Sequence, residues 1–389
     1  MNVLFSGGGT GGHLYPALAI ARALHERQPN VEPFFIGAQR GIERDILPGT
    51  GFPHVLLDLH PLYRGAPWKN VLTLSSVIGG WRRVRDISRQ QRARLIVATG
   101  GYAAGAAIAV AATSRIPLVL QEQNSFAGQT IRLGSRYARE IYLGFPEAAH
   151  SFPLGARQRC VDTGNPIEAP PPPSERLSRE EARAHWGFAA TKDPVVLIFG
   201  GSQGSTALND LVAGWLSGAP APTGVNVIWA TGKDHYDRYS HLANNHVAIR
   251  PYLAPIADAY SATDLALTRA GAMTTAELCA WGIPAVLVPL PTAAADHQTA
   301  NAKALEVAGV ALRVDQKAVT GLQLGEVVVS LLNDEARRRE MARRALERAR
   351  PDAADNIAQR ILTLLTSSGA GSGARGAGKL NPPRPEPRA

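Results

Sequence analysis

The chain has 389 residues, of which 45% are hydrophobic and 19% charged, with a formal net charge of +9 and two cysteines. This is length enough for two domains with separate cores, and the composition is globular, which excludes a fibrous or disordered protein. Cys160 and Cys279 are too few for a disulfide framework or a cysteine-based zinc site, no apolar run reaches membrane-spanning length and no secretory leader pattern is present, so the expected compartment is the cytoplasm.

The first predicted strand, residues 3–6, empties into Gly7-Gly8-Gly9-Thr10-Gly11-Gly12-His13 and then into an Ala/Leu-rich helical pattern. Glycines permit a sharp turn and close backbone approach, so several N–H groups are aimed at a ligand with a helix N-terminus behind them. An anionic or strongly polar ligand fits such a loop, and a ligand-free strand-to-helix turn is the plain alternative. The spacing matches neither the dinucleotide fingerprint nor the P-loop. His13 is the one nearby side chain that exchanges a proton near neutral pH.

Further strands are predicted at 32–36, 95–98, 118–121 and 140–143, alternating with amphipathic helices. This βαβ rhythm predicts a parallel sheet covered on both faces. The rhythm breaks at the proline cluster 166–174, which reads as part of a linker, and restarts where residues 194–199 empty into Gly200-Gly201-Ser202-Gln203-Gly204. Strands at 225–230, 246–251, 265–268 and 285–289 follow, with the loop Arg269-Ala270-Gly271-Ala272-Met273 feeding another helix. The expected fold class is α/β: two Rossmann-like, doubly wound lobes that face each other across a cleft holding the ligand. The expected divisions are 1–164, a linker at 165–193, a second lobe at 194–350, a helix at 351–366 and a disordered Gly/Ser/Arg/Pro-rich tail at 367–389.

The positive charge points to an acidic partner: nucleic acid, a phosphorylated substrate or an anionic membrane surface. Nucleic acid is set aside, because the basic residues are spread over several helices and no recognised module is present. Leu62, Tyr63, Trp68, Leu72 and Trp81 interleave with Arg64, Lys69, Arg82, Arg83 and Arg85. That mixture suits a peripheral membrane patch, or else an ordinary amphipathic helix packed on the first sheet. No Asp-x-Asp, a common diphosphate-chelating Mg²⁺ motif, occurs, and neither a metal nor a cofactor is expected.

In order along the chain stand Gly8-Gly9-Thr10-Gly11-Gly12-His13-x-x-Pro16, Gly100-Gly101-Tyr102, Glu122-Gln123-Asn124, Gly164-Asn165-Pro166, Gly200-Gly201-Ser202-Gln203-Gly204, Arg269-Ala270-Gly271-Ala272 and Asp296-His297-Gln298-x-x-Asn301. Over all but the tail, the chain resembles the MurG family of bacterial N-acetylglucosaminyltransferases, which convert lipid I to lipid II in peptidoglycan synthesis. The resemblance implies a GT-B enzyme that binds its lipid acceptor on the first lobe and UDP-N-acetylglucosamine mainly on the second, with the last helix crossing back to the first lobe. It implies a peripheral protein at the cytoplasmic face of the plasma membrane that works beside other cell-wall synthesis proteins.

The inverting reaction needs a base for the acceptor 4-hydroxyl and stabilisation of the departing UDP. His13 is the expected base, against the alternative that it caps the turn, and Glu122 either orients His13, acts as base itself or pins a loop. Amides around Ser202, Ala272 and Met273, with Thr10, Gly11 and Gly12 from the opposite lobe, are expected to receive the diphosphate. The resemblance further implies uracil near Leu253, ribose on Glu277 with Thr274, Thr275 and Ala276 beside it, and sugar hydroxyls on Gln298 and Asn124. Glu277 is also placed as a first-turn helix carboxylate, and Arg269 as a partner of phosphate or of a carboxylate. Two positions depart from the family pattern: Gln121 stands where a histidine is common, and Glu168 where an arginine often follows Gly-Asn-Pro. A soluble GT-B enzyme acting on a small acceptor and a UDP-N-acetylglucosamine 2-epimerase are the competing readings.

Overall fold

The computed structural model describes residues 1–59, 70–188, 192–201, 204–218 and 223–373. Leu62, Tyr63, Trp68 and Ser202, and the side chain of Leu72, lie outside the described residues.

The first sheet comprises β1 (Asn2–Gly7), β2 (Glu32–Ala38), β3 (His54–Leu57), β4 (Ala93–Gly100), β5 (Leu118–Glu122), β6 (Ala138–Leu143) and β7 (Cys160–Asp162), in the order β3-β2-β1-β4-β5-β6-β7. The second comprises β8 (Val195–Phe199), β9 (Asn226–Ala230), β10 (Val247–Arg250), β11 (Leu265–Thr268), β12 (Ala285–Leu287) and β13 (Ala311–Arg313), in the order β10-β9-β8-β11-β12-β13. Every strand pairing is parallel.

Strands buried on both faces carry unbroken apolar runs, and the period of two sorts them. Val3 and Phe5 of β1 and Leu95 and Val97 of β4 join one core, whereas Leu4, Ile96 and Ala98 join the core on the opposite face. In β8, Val195, Leu197 and Phe199 likewise face away from Val196 and Ile198. The strands that sequence reading misses, β3, β7 and β13, all lie at sheet edges, where three or four half-buried residues leave little pattern.

In both sheets the chain order reverses beside the first strand of the lobe, between β1 and β4 and between β8 and β11. Such a switch point leaves a crevice at the strand C-termini. The loops that open there are the glycine loops after β1 and β8, the Gly100-Gly101 turn after β4 and the Arg269 loop after β11.

Residues 165–193 do more than connect the lobes. Ser178 caps the helix Arg179–His185 with a complete capping box, and Ala182 and Phe188 are buried in the second lobe's core. The helix Ala353–Gly373 returns to the first lobe and continues past the end expected at 366. Its Ile357, Ala358, Ile361 and Leu365 share a core with Leu14, Leu18 and Leu24 of the helix Gly11–Arg27. Arg360 donates two bonds to Glu140, at 2.7 and 2.9 Å, and Arg27 pairs with Asp355 at 2.8 Å.

Candidate active site

The two glycine loops share one cleft. Gly9, Thr10 and Gly11 from the first lobe and Gly200, Gly201 and Gly204 from the second line a cavity of about 630 Å³, with Arg40 and Arg44 at its side. Thr10 stands at the N-cap of the helix Gly11–Arg27 in an extended conformation, so the first helical amides point toward this opening.

His13 is half-buried one turn behind that lip. Its ring rests on the Gly100-Gly101 turn, where both residues have positive φ. A Cβ on Gly101 would sit 1.9 Å from Gly8 O and 3.1 Å from His13 Cδ2, so side-chain-free backbone is required there. His13 Nδ1 lies 3.1 Å from Thr99 O and 3.0 Å from Gln123 Oε1. Burial pushes the imidazole below its ordinary pKa, and His297 pushes in the same direction, while the bonds to Gln123 and Thr99 oppose them. A neutral ring at neutral pH is the state a base requires.

The residue that holds the His13 ring is therefore Gln123, and orienting His13, one of the three roles open to Glu122, falls to its neighbour. Glu122 is buried and turned toward its own loop: Oε1 accepts from Asn124 N and Nδ2 at 2.9 and 3.1 Å, and Oε2 accepts from Gly128 N at 2.8 Å. Burial raises its pKa against these donors. Of the roles expected for it, the geometry supports the loop pin.

Glu43 is a second buried carboxylate, which sequence reading missed. Its Oε1 accepts from Gly9 N at 2.8 Å, and three glycines make room for it. A Cβ on Gly8 would lie 1.4 Å from Oε1, one on Gly41 1.8 Å from Oε2, and one on Gly37 2.9 Å from Glu43 Cβ. A carboxylate is thus tucked under Gly8 and Gly9 and occupies the Gly9 amide.

The second lobe has the opposite electrostatics. Arg269 is buried and donates to Ser205 Oγ at 2.7 and 3.1 Å, to Val288 O and Pro289 O at 3.0 and 3.2 Å, and to Gln316 Oε1 at 2.6 Å. Among the described residues no carboxylate pairs with it, and burial holds the guanidinium down to about 10. It does not pair with a carboxylate, the second of the alternatives drawn from sequence: it braces the start of the helix Thr206–Leu216 and leaves a net positive charge behind the second glycine loop.

Glu277 lies half-buried in the second turn of the helix Ala272–Ala280, not in its first turn as one reading of the sequence had it, with Tyr260 donating to Oε2 at 2.8 Å. Burial raises its pKa and Glu168 adds to the rise, while the Tyr260 bond opposes them. Ala272 is buried and Met273, Thr274 and Ala276 are half-buried. Thr275 is buried, with its hydroxyl 3.0 Å from Gly271 O and 3.1 Å from Ala272 O, and serves the helix rather than the cleft. Leu253 is buried in the second core, and Gln298 Oε1 accepts from Leu290 N at 2.9 Å.

Two asparagines tie the lobes together beside these groups. Asn301 Oδ1 accepts from Ser125 N at 2.8 Å, and its Nδ2 donates to Asn124 Oδ1 and Ala270 O, both at 3.1 Å. Asn165 Nδ2 donates to Gln123 O at 3.0 Å and to Ala272 O at 3.4 Å. Both asparagines stand in motifs noted from sequence, but spacing alone assigns them no partner.

Two facing Rossmann-like lobes with a polar interlobe cleft define the GT-B class of glycosyltransferases. Residues 3–143 match the glycosyltransferase family 28 N-terminal domain and residues 195–357 match the glycosyltransferase family 28 C-terminal domain. A protein of Moorella thermoacetica named UDP-N-acetylglucosamine--N-acetylmuramyl-(pentapeptide) pyrophosphoryl-undecaprenol N-acetylglucosamine transferase is 37% identical over 376 residues, covering 94% of this chain and 100% of that protein. Its namesake in Chlorobium phaeobacteroides is 38% identical over 374 residues, with the same coverage. The crystal structure of Acinetobacter baumannii MurG superposes with a TM-score of 0.73 at 30% identity, covering 93% of this chain and 99% of that one. The chain belongs to glycosyltransferase family 28, in the branch formed by these MurG-type transferases.

Proposed function

We propose that the chain transfers N-acetylglucosamine from UDP-N-acetylglucosamine to the 4-hydroxyl of the muramyl sugar of an undecaprenyl-pyrophosphoryl acceptor, inverting the anomeric carbon. The observation that carries this reading is the single cleft lined by both glycine loops, with His13 one turn behind it. The donor lies on the second lobe: its ribose hydroxyls bond Glu277, and its diphosphate meets the amides that open the helices Thr206–Leu216 and Ala272–Ala280, in front of Arg269. Gln298 and Asn124 hold the sugar. His13 Nε2 takes the acceptor proton as the oxygen attacks, and UDP leaves with its charge stabilised by dipoles and the buried cation instead of a metal.

The acceptor's lipid requires contact with a membrane, yet among the described residues no helix is long and apolar enough to cross one. We assign the contact to the face of the first lobe built by the helices Asn70–Gln90, Ala103–Ser114 and Gln129–Gly134. There Arg82 and Arg83 are exposed, Arg85 stacks over Trp81 at 5.2 Å, and Trp81 Nε1 donates to Thr113 at 3.1 Å. The exposed Leu133 and Tyr137 beside Arg132 and Arg136 extend the same mixture of apolar and basic groups. The protein then acts peripherally at the cytoplasmic face of the membrane, where other cell-wall synthesis proteins meet it.

Incubation with labelled UDP-N-acetylglucosamine and lipid I, or a shortened-prenyl analogue, tests the reading with and without EDTA. Label on the muramyl sugar in both conditions supports it. Epimerised or hydrolysed donor without transfer would replace it with the epimerase reading, and transfer only to small soluble acceptors with the other.

A further inference from the structure

We infer that Gln123, Gln121 and Asn165 form a directed chain of amide hydrogen bonds that fixes the tautomer of His13, holding its proton on Nδ1 and leaving the Nε2 lone pair free. The part this plays in catalysis rests on His13 being the base proposed above.

The direction of the chain follows from the acceptors around each amide. Gln123 Nε2 lies 2.7 Å from Thr99 O and 3.4 Å from Gln121 O, and in close contact with Gln121 Oε1. Three oxygens at one end of an amide require its nitrogen there, because the flipped amide would set oxygen against oxygen. Gln123 Oε1 is thereby turned to His13 Nδ1 at 3.0 Å, and Thr99 O is a second acceptor at 3.1 Å. A ring nitrogen facing two acceptors carries the proton. Gln121 is oriented in turn, since its Nε2 donates to Asn165 Oδ1 at 3.1 Å, and Asn165 is fixed because its own Nδ2 faces Gln123 O and Ala272 O.

From imidazole to second lobe, every link donates in the same sense: His13 to Gln123, Gln123 to Gln121, Gln121 to Asn165, Asn165 to Ala272 O. Aligned amide dipoles polarise one another and strengthen as the ring gains positive charge. Gln121, Gln123 and Asn165 are at most 2% exposed, so water does not compete for these bonds. The last link crosses to the first residue of the helix Ala272–Ala280, which ties the ring of the first lobe to the position of the second. Gln121 suits this role: it accepts at one end and donates at the other without titrating. These three are positioning residues, acting through His13.

The test is ¹⁵N NMR of the full-length protein with labelled histidines, at mildly alkaline pH, alongside transfer kinetics. Wild-type His13 is expected to show a protonated Nδ1 and a bare Nε2. Gln123→Leu and Gln121→Leu should shift the ring toward the Nε2–H form and lower kcat by roughly 10–100-fold, with KM for UDP-N-acetylglucosamine little changed. A wild-type ring protonated on Nε2, or a tautomer unmoved by both leucine variants, overturns the inference; the wild-type spectrum decides even where a variant fails to fold. A tautomer that shifts while kcat stays constant upholds the chain and removes His13 as the base.

Discussion

Replacing Glu43 by alanine or glutamine separates the shape of this side chain from its charge. The carboxylate accepts a 2.8 Å bond from Gly9 N and fills the space left by Gly8, Gly37 and Gly41. A hydrogen bond to a charged acceptor contributes about 1.5–3 kcal/mol. Glu43→Ala removes that bond and also opens a void under the loop, so a loss of about 3–5 kcal/mol is expected, within the range of broken buried networks. Glu43→Gln keeps an oxygen for Gly9 and most of the volume while removing a buried charge whose Oε2 has no partner among the described residues. The bond weakens by about 1 kcal/mol while the space stays filled, so the loss should be clearly smaller than for alanine. With a urea slope of about 3 kcal/mol per M, the alanine variant's midpoint falls by roughly 1 M and the glutamine variant's by a fraction of that. Transfer should follow the same order, with glutamine within a few-fold of wild type and alanine slow through a loosened Gly8-Gly9 turn. Equal stability of the two variants, or a glutamine variant as damaged as alanine, would refute the reasoning.

His13→Ala should lower kcat by roughly 10²–10⁴-fold while UDP binding, followed by calorimetry, stays near wild type. Because burial lowers the His13 pKa, with His297 acting in the same sense, the acid limb of kcat/KM should lie below the ordinary histidine value near 6.5. The rate falls only as pH drops through that lowered value, where the ring protonates and its lone pair is lost; a limb above 6.5 would contradict the assignment. Arg269→Met should weaken UDP about tenfold, or about 1.4 kcal/mol, and leave uridine almost unaffected, since the buried cation acts on the diphosphate; parallel losses for both ligands would reduce Arg269 to a brace. Ile361→Ala removes a fully buried side chain between the last helix and the helix Gly11–Arg27, and should destabilise the first lobe by about 2–5 kcal/mol, measured by denaturant unfolding.

The interior strands were legible because burial on both faces demands unbroken apolar runs, as in Val3-Leu4-Phe5 and residues 195–199. Edge strands such as Cys160–Asp162 and Ala311–Arg313 are short and half-exposed, and their pairing follows from neighbours far away in sequence. The glycine loops were legible for a local reason: close backbone approach excludes other residues. Glu43 was not, because a lone glutamate in a polar stretch carries no sign that three glycines will bury it. The contact from His13 to Gln123 spans 110 positions, and that from Ser125 to Asn301 spans 176, so the motifs marked these residues while only the fold supplied their partners. Glu122 shows the converse, a carboxylate in a promising motif that the fold turns toward its own loop amides.

The most direct test is a crystal structure of the protein with a non-transferable UDP-N-acetylglucosamine analogue and a short-prenyl acceptor. The diphosphate should lie against the amides that open the helices Thr206–Leu216 and Ala272–Ala280, with the acceptor 4-hydroxyl about 2.6–3.2 Å from His13 Nε2. A diphosphate held away from the amides that open these two helices, or a hydroxyl out of reach of that nitrogen with both ligands in place, would contradict the mechanism.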